Sequence, residues 1–221
     1  MFLAEAQGLL ALYVYNTLDL FNQAPYRDPF TAGAPLEILQ GETEIDNLIA
    51  DVESIIPNLV NLGEQQTYNG RFTKQAAYAL LADMYLNRAV FKDRYNASSS
   101  FNFTETAVDN NGSDMDKVIY YTSLLIDGSF SLESNYFKNF DIDNGSGSEI
   151  IFAIVQENDN IRSSDNDFAY MSTGRAQKQT PPDNRGTNGS CVEPEFYYTW
   201  MEIMMILVFT VTTNIVMVLG L

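Results

Sequence analysis

The stretch Gly70–Phe91, GRFTKQAAYALLADMYLNRAVF, decides how the chain is read. Asn69-Gly70 is a turn signal, and the segment from Thr73 to Phe91 has the 3.6-residue periodicity of a helix. Ala76, Ala77, Ala79 and Ala82 are small enough to let a neighbouring helix approach closely. Leu80, Leu81 and Met84 supply an apolar face. A helix of this kind is stable only when that face is covered, so close approach of another helix is expected.

Partners are visible upstream. Ile45, Leu48, Val52, Ile55 and Leu59 step by three and four, and Pro57 and Gly63 bracket the end of that segment. Glu42, Glu44 and Asp46 suit a helix N-terminus, and Thr43 with Asp46 resembles a capping box. Earlier still, Leu3, Ala6, Leu10, Val14, Leu18 and Phe21 predict a first helix, stopped by Pro25 and Pro29. The stretch from Tyr26 to Gly41 contains Pro29, Gly33 and Pro35 and reads as a loop.

Downstream, a polar loop covers Asn96 to Ser113. A fourth helix is expected from Asp114 to Asp127, with Met115, Val118, Thr122 and Leu125 on one side and Gly128 at its C-terminus. The apolar run Ile150–Val155 reads as a short buried strand. Gln156 to Ser190 has almost no periodicity, as expected of a long functional or disordered loop. The fold class is therefore mainly α: four helices in two antiparallel pairs, arranged as tetratricopeptide-like hairpins, with a short strand and long irregular loops. The strict 34-residue repeat signature is absent.

Composition narrows the function. The chain has 221 residues and a formal charge of −17, from 29 acidic and 12 basic side chains. Such a field repels phosphate backbones, which argues against a nucleic-acid binder. There is no histidine and one cysteine. This removes Ser-His-Asp and Cys-His catalysis, most zinc enzymes and any internal disulfide. No catalytic set, cofactor or metal is expected.

The carboxylates Glu5, Glu37, Asp51, Glu53, Asp83, Asp127, Glu149 and Glu157 have no context that marks a reactive pair, so surface or capping roles are expected for them. Asp141–Glu149 begins like a calcium loop, but position 5 is Gly145 and position 12 is Phe152, so a plain turn is the better reading. Cys191 has no histidine partner and is expected to be a small buried thiol. Five Asn-x-Ser/Thr sequons are present at Asn96, Asn102, Asn111, Asn144 and Asn188; three of them are Asn-Gly turns.

Aromatic residues carry more information. Tyr13, Tyr15, Tyr78 and Tyr85 lie on helices and are expected in the core. An aromatic in a loop can stack on a sugar ring while nearby amides, carboxylates and guanidinium groups bond its hydroxyls. On that ground the candidate ligand-binding residues are Tyr26, Phe30, Tyr170, Arg185, Asn188 and Trp200.

Several segments resemble the SusD/RagB family of outer-membrane nutrient-binding lipoproteins. AEAQGLLALYVYNTLDLFNQAPY is similar to the family's AEA-x-x-L-R-A helix, with Leu10 in place of its arginine. ETEIDNLIADVESIIPNL resembles the next helix. The most specific match is Gly70–Phe91, similar to GR-x-T-K-x-A-A-x-A-L-L-A-x-x-Y-L. DKVIYYTSLLIDGSFSLESNYFKNF followed by SEIIFAI resembles the segment that closes the helical core. The resemblance implies a SusD-like helical domain over residues 1–200, partial at both ends. It implies a surface protein of the Gram-negative outer membrane that binds oligosaccharides or other nutrients and delivers them to a SusC-like TonB-dependent transporter. It implies no enzymatic activity. The family's signal peptide and lipidated cysteine are not seen in this chain.

Residues 201–221 do not fit. Ile203 to Leu221 is nearly all apolar, long enough for a bilayer, for which roughly 20 residues are needed. No Lys or Arg flanks it. Restoring one base after the Trp200 codon permits, with suitable codon choices, a polar continuation containing Asp-Asp-Pro-Arg-Phe. The tail is expected to be a frameshift product. The alternative is a transmembrane helix anchoring a helical protein-interaction module.

Overall fold

The computed structural model describes residues 1–64, 70–93, 101–126, 128, 130–140, 147–154, 193–199 and 201. The chain forms two compact units, Met1–Val155 and Gln156–Leu221. In the first, the order is α1 (Phe2–Phe21), β1 (Gln23–Tyr26), β2 (Glu37–Gln40), α2 (Gly41–Ile55), α3 (Lys74–Asp93) and α4 (Asp114–Ile126). Short 3-10 segments lie at Ile56–Asn58 and Tyr136–Phe140. In the second unit, residues 194–199 are helical, and the Tyr197 N–H donates to the Glu193 carbonyl at 3.0 Å.

The expected helices form, but α1 buries a face different from the predicted one: Ala4, Gly8, Ala11, Val14, Tyr15 and Leu18 are buried, while Leu3, Ala6 and Phe21 are exposed. α3 packs against both α2 and α4, and α1 packs against α2. Leu18 of α1, Ile45, Ile49 and Val52 of α2, and Ala77, Leu81, Met84 and Tyr85 of α3 are wholly buried or nearly so. Of the small residues of α3, Ala76, Ala77 and Ala82 are buried and Ala79 is half-buried. A Cβ on Gly8 would collide with the Phe72 ring, so glycine lets α1 lie directly on it. Of the helical tyrosines, Tyr15 and Tyr85 are core, and Tyr78 is half-buried against it. Tyr13 departs from expectation: it is 56% exposed, on the outer side of α1.

Three local readings need correction. The predicted loop Tyr26–Gly41 begins and ends in a two-stranded antiparallel sheet, with Gln23 opposite Gln40 and Tyr26 opposite Glu37. α1 stops before Pro25 because Asn22 turns left-handed, at φ 57°, and its N–H donates to the Leu18 carbonyl at 2.7 Å. Asn tolerates that conformation. β1 holds Pro25 and lacks alternation, so nothing local marks it as a strand; a two-stranded ribbon has only edges, where proline is accepted.

The Thr43–Asp46 capping box does not form. The cap of α2 is Gln40, without a side-chain hydrogen bond. Thr43 donates to the Gln40 carbonyl at 3.3 Å, while Asp46 turns to Arg88. A reciprocal box occurs instead at α4. Ser113 N–H donates to Asp116 Oδ2 at 2.8 Å, and Asp116 N–H donates to Ser113 Oγ at 3.2 Å.

The strand expected at Ile150–Val155 is not formed over its described residues, 150–154. The run is used for packing: the Phe152 ring meets Phe72 edge-on at 5.9 Å.

Candidate functional site

A cleft of about 270 Å³ opens between α1, the β1–β2 ribbon and α2. α1 lines it with Gln7, Leu10 and Val14. The ribbon and its connection contribute Tyr26, Asp28, Phe30 and Leu39, and α2 contributes Glu44, Leu48, Asp51 and Ser54. Its floor is apolar and its rim is acidic and hydroxylic. No Lys or Arg lines it among the described residues.

The ribbon is what brings the loop aromatics here. Pairing of Tyr26 with Glu37 folds the chain back over α2, and Gly41 N–H donates to the Asn22 carbonyl at 3.0 Å. Phe30 N–H then donates to Asp28 Oδ1 at 2.9 Å, fixing the turn that carries the Phe30 ring. Phe30 is 51% exposed, and Tyr26 is half-buried.

Electrostatics follow from this placement. The Thr31 hydroxyl and the Phe30 N–H hold the Asp28 carboxyl below the usual range, so it is an ionised acceptor. Burial pushes Glu44 up, although the Asn47 amide donates to it at 3.1 Å. Burial alone pushes Asp51 up. Burial, and then the charges of Asp28, Asp51 and Glu44, raise the Tyr26 phenol, which keeps it a hydrogen-bond donor. The cleft therefore offers ring faces, several acceptors and a phenolic donor, and repels anions.

Of the six candidate ligand residues, Tyr26 and Phe30 meet in this cleft. Tyr170, Arg185, Asn188 and Trp200 lie outside the described residues, as do Asp127, Glu157, Cys191, the calcium-like turn at 141–146 and the tail from 202 onward. Among the carboxylates, Asp51 belongs to the cleft. Two others correct the surface expectation. Glu5 is paired with Arg71, its side chain 13% exposed. Glu53 accepts the hydroxyls of Tyr85 and Tyr121 at 2.8 and 2.9 Å. Gln7, Asp28, Glu44 and Ser54 were not singled out from sequence. Only Glu44 and Asp51, seven positions apart on the helix face beside Leu48, carried a local signal of shared placement.

The mainly helical domain agrees with the fold expected from the resemblance, and the comparisons bear on that fold. The chain is 29% identical over 160 residues to the starch-binding protein SusD of Bacteroides thetaiotaomicron, covering 70% of this chain and 25% of that protein. Its fold is similar to the crystal structure of a SusD superfamily protein from Bacteroides fragilis, with a TM-score of 0.55 and 15% identity, over 79% of this chain and 33% of that one. No protein-family model matches the chain. In sequence and fold the chain is thus similar to SusD-like proteins, and it spans a quarter to a third of the length of these two.

Proposed function

We propose that the chain is part of a surface nutrient-binding protein that holds an oligosaccharide by stacking and hydrogen bonds and breaks no bond in it. The carrying observation is that Tyr26 and Phe30, selected as sugar platforms, converge on one cleft with Asp28, Glu44 and Asp51. The likeness to a starch-binding protein supports a glycan as the ligand. Delivery to a SusC-like TonB-dependent transporter at the outer face of the outer membrane is the role that follows from this class. No helix among the described residues is long and apolar enough to cross a membrane. Residues 1–200 form the binding domain in this reading, and residues 201–221 are a frameshift product.

Isothermal titration of the 221-residue chain with uncharged hexasaccharides (malto-, xylo-, manno- and cello-hexaose) tests the binding reading. At least one is expected to bind. Loss of one stacked ring, by Tyr26→Ala or Phe30→Ala, is expected to weaken it about three- to tenfold, since aromatic contacts contribute about 0.5–1.5 kcal/mol beyond area. Undiminished affinity in the double variant overturns the site. A transporter gene of the TonB-dependent class beside the coding DNA, and a shifted frame after the Trp200 codon, test the role and the tail.

A further inference from the structure

A second groove lies on the other side of the helical layer, where the loop before α4 meets the first turns of that helix. It encloses about 570 Å³ and is lined by Asp109, Asn111, Asp116, Lys117 and Tyr120. Tyr120 is 54% exposed. Its ring is fixed by Tyr121, which it meets edge-on at 5.1 Å, and by the Lys117 ammonium 5.9 Å from its centroid. Lys117 is ion-paired with Asp109, so among the described residues the groove holds no uncompensated cation.

The loop that frames the ring is rigidly built. Thr106 and Ser113 form a bridge, and Asn110 (φ 58°) and Gly112 (φ 83°) take left-handed conformations between them. The Ala107 N–H donates to the Gly112 carbonyl at 3.0 Å, and the Asp114 N–H to the Glu105 carbonyl at 2.9 Å. This frame holds three polar groups that bond to nothing among the described residues. They are the Asn111 carboxamide, Asp116 Oδ1 and the Tyr120 hydroxyl.

We propose that this groove is a second sugar-binding surface, taking a neutral, polyhydroxylated ring against the face of Tyr120. An exposed, immobilised aromatic ring offers stacking at little entropic cost. The carboxylate and the carboxamide beside it match the donor and acceptor pattern of adjacent sugar hydroxyls. Asp109 and Asp116 against the one Lys117 leave a net negative groove, which disfavours uronic acids and sulfated sugars. This inference rests on the glycan-binding reading and adds a separate site to it.

The same hexasaccharide titrations, followed by amide chemical shifts, distinguish the two. Wild type is expected to show two sets of perturbed amides, one around Tyr26 and Phe30 and one around Asn111 and Tyr120. Tyr120→Ala is expected to abolish the second set and leave the first. Asn111→Ala, at an exposed loop position, is expected to weaken the second set about tenfold without disturbing the fold. An oligogalacturonate of equal length is expected to leave the groove unperturbed. Perturbations confined to the Tyr26 cleft overturn the second surface while the proposed function stands. Oligogalacturonate binding at Tyr120 overturns its neutral specificity. Absence of binding by every glycan overturns both.

Discussion

Arg88 Nε lies 2.6 Å from Asp46 Oδ1, and this contact ties the C-terminal half of α3 to the N-terminal half of α2. The same guanidinium donates through Nη1 to Asp114 Oδ1 and to the Thr106 carbonyl, each at 2.9 Å. One side chain, 5% exposed, thus joins α2, α3, α4 and the loop before α4. Asp114 is 1% exposed. Removing the cation leaves that carboxylate buried without its partner, a loss of about 3–5 kcal/mol. Arg88→Met is expected to lower the urea midpoint accordingly, and adding Asp114→Asn is expected to recover part of the loss. A midpoint unchanged by Arg88→Met sinks the assignment.

Glu53 Oε1 accepts both Tyr85 and Tyr121. The two rings are stacked 6.1 Å apart in the core, so neither hydroxyl can reach water without opening the packing. Glu53→Ala leaves two buried donors unsatisfied, at about 1–3 kcal/mol each. Glu53→Gln retains an acceptor oxygen and is expected to lose about 1 kcal/mol. Thermal unfolding of the pair checks the order Ala worse than Gln. Burial, reinforced by Glu53, raises both phenols far above their ordinary value. In an alkaline absorbance titration they are expected to ionise only after the exposed tyrosines, as the fold opens.

Gly8 sits against the face of Phe72, which is 2% exposed and cannot swing away. Gly8→Ala gains about 1 kcal/mol of helix propensity. Over-packing of about 1–3 kcal/mol opposes it. The net effect is expected to be destabilising, and stronger for Gly8→Val. Combining Gly8→Val with Phe72→Leu is expected to restore part of the stability, read as non-additivity in a double-mutant cycle.

Burial raises Glu44 and Asp51 in the cleft. A carboxyl whose folded value exceeds its unfolded value binds more protons when folded, so stability falls as pH rises from the ordinary carboxylate range through the raised values. Asp51→Asn is expected to flatten that part of the stability–pH curve. At pH 7 it is expected to stabilise the fold by about 0.5 kcal/mol or less, because Asp51 is substantially solvated and water screens its charge. Urea denaturation between pH 4 and 7 reads this; a slope equal to wild type counts against the cleft geometry.

Helix periodicity was legible because it is local. α1, α3 and α4 lie where their three- and four-residue spacing puts them, within a residue or two at either end, whereas α2 ends at Ile55, four positions before its last periodic residue, Leu59. At the start of α3, Thr73 accepts the Ala76 N–H at 3.3 Å, a cap the sequence reading did not single out. The failures are of another kind. Asp46 looked like a cap because Thr43 stands three residues before it, yet its partner is 42 residues away. Glu53 looked like a surface acid, yet its partners are 32 and 68 residues away. Ile150–Ile154 looked like a strand, but no ladder partner lies beside it among the described residues.

The candidate site divides the same way. The sequence alone did not fix the buried face of α1, where Leu3, Ala6 and Phe21 are exposed; it determined which segments are helical and that Tyr26 and Phe30 are aromatics placed outside any helix. These properties depend on neighbours a few positions apart. Only the tertiary structure decided that β1 pairs with β2, that this pairing sets both rings against Gln7, Glu44 and Asp51, and that Tyr120 faces a rigid polar loop. Those relationships join distant segments through packing and hydrogen bonds made once the chain has folded, and no local pattern encodes them.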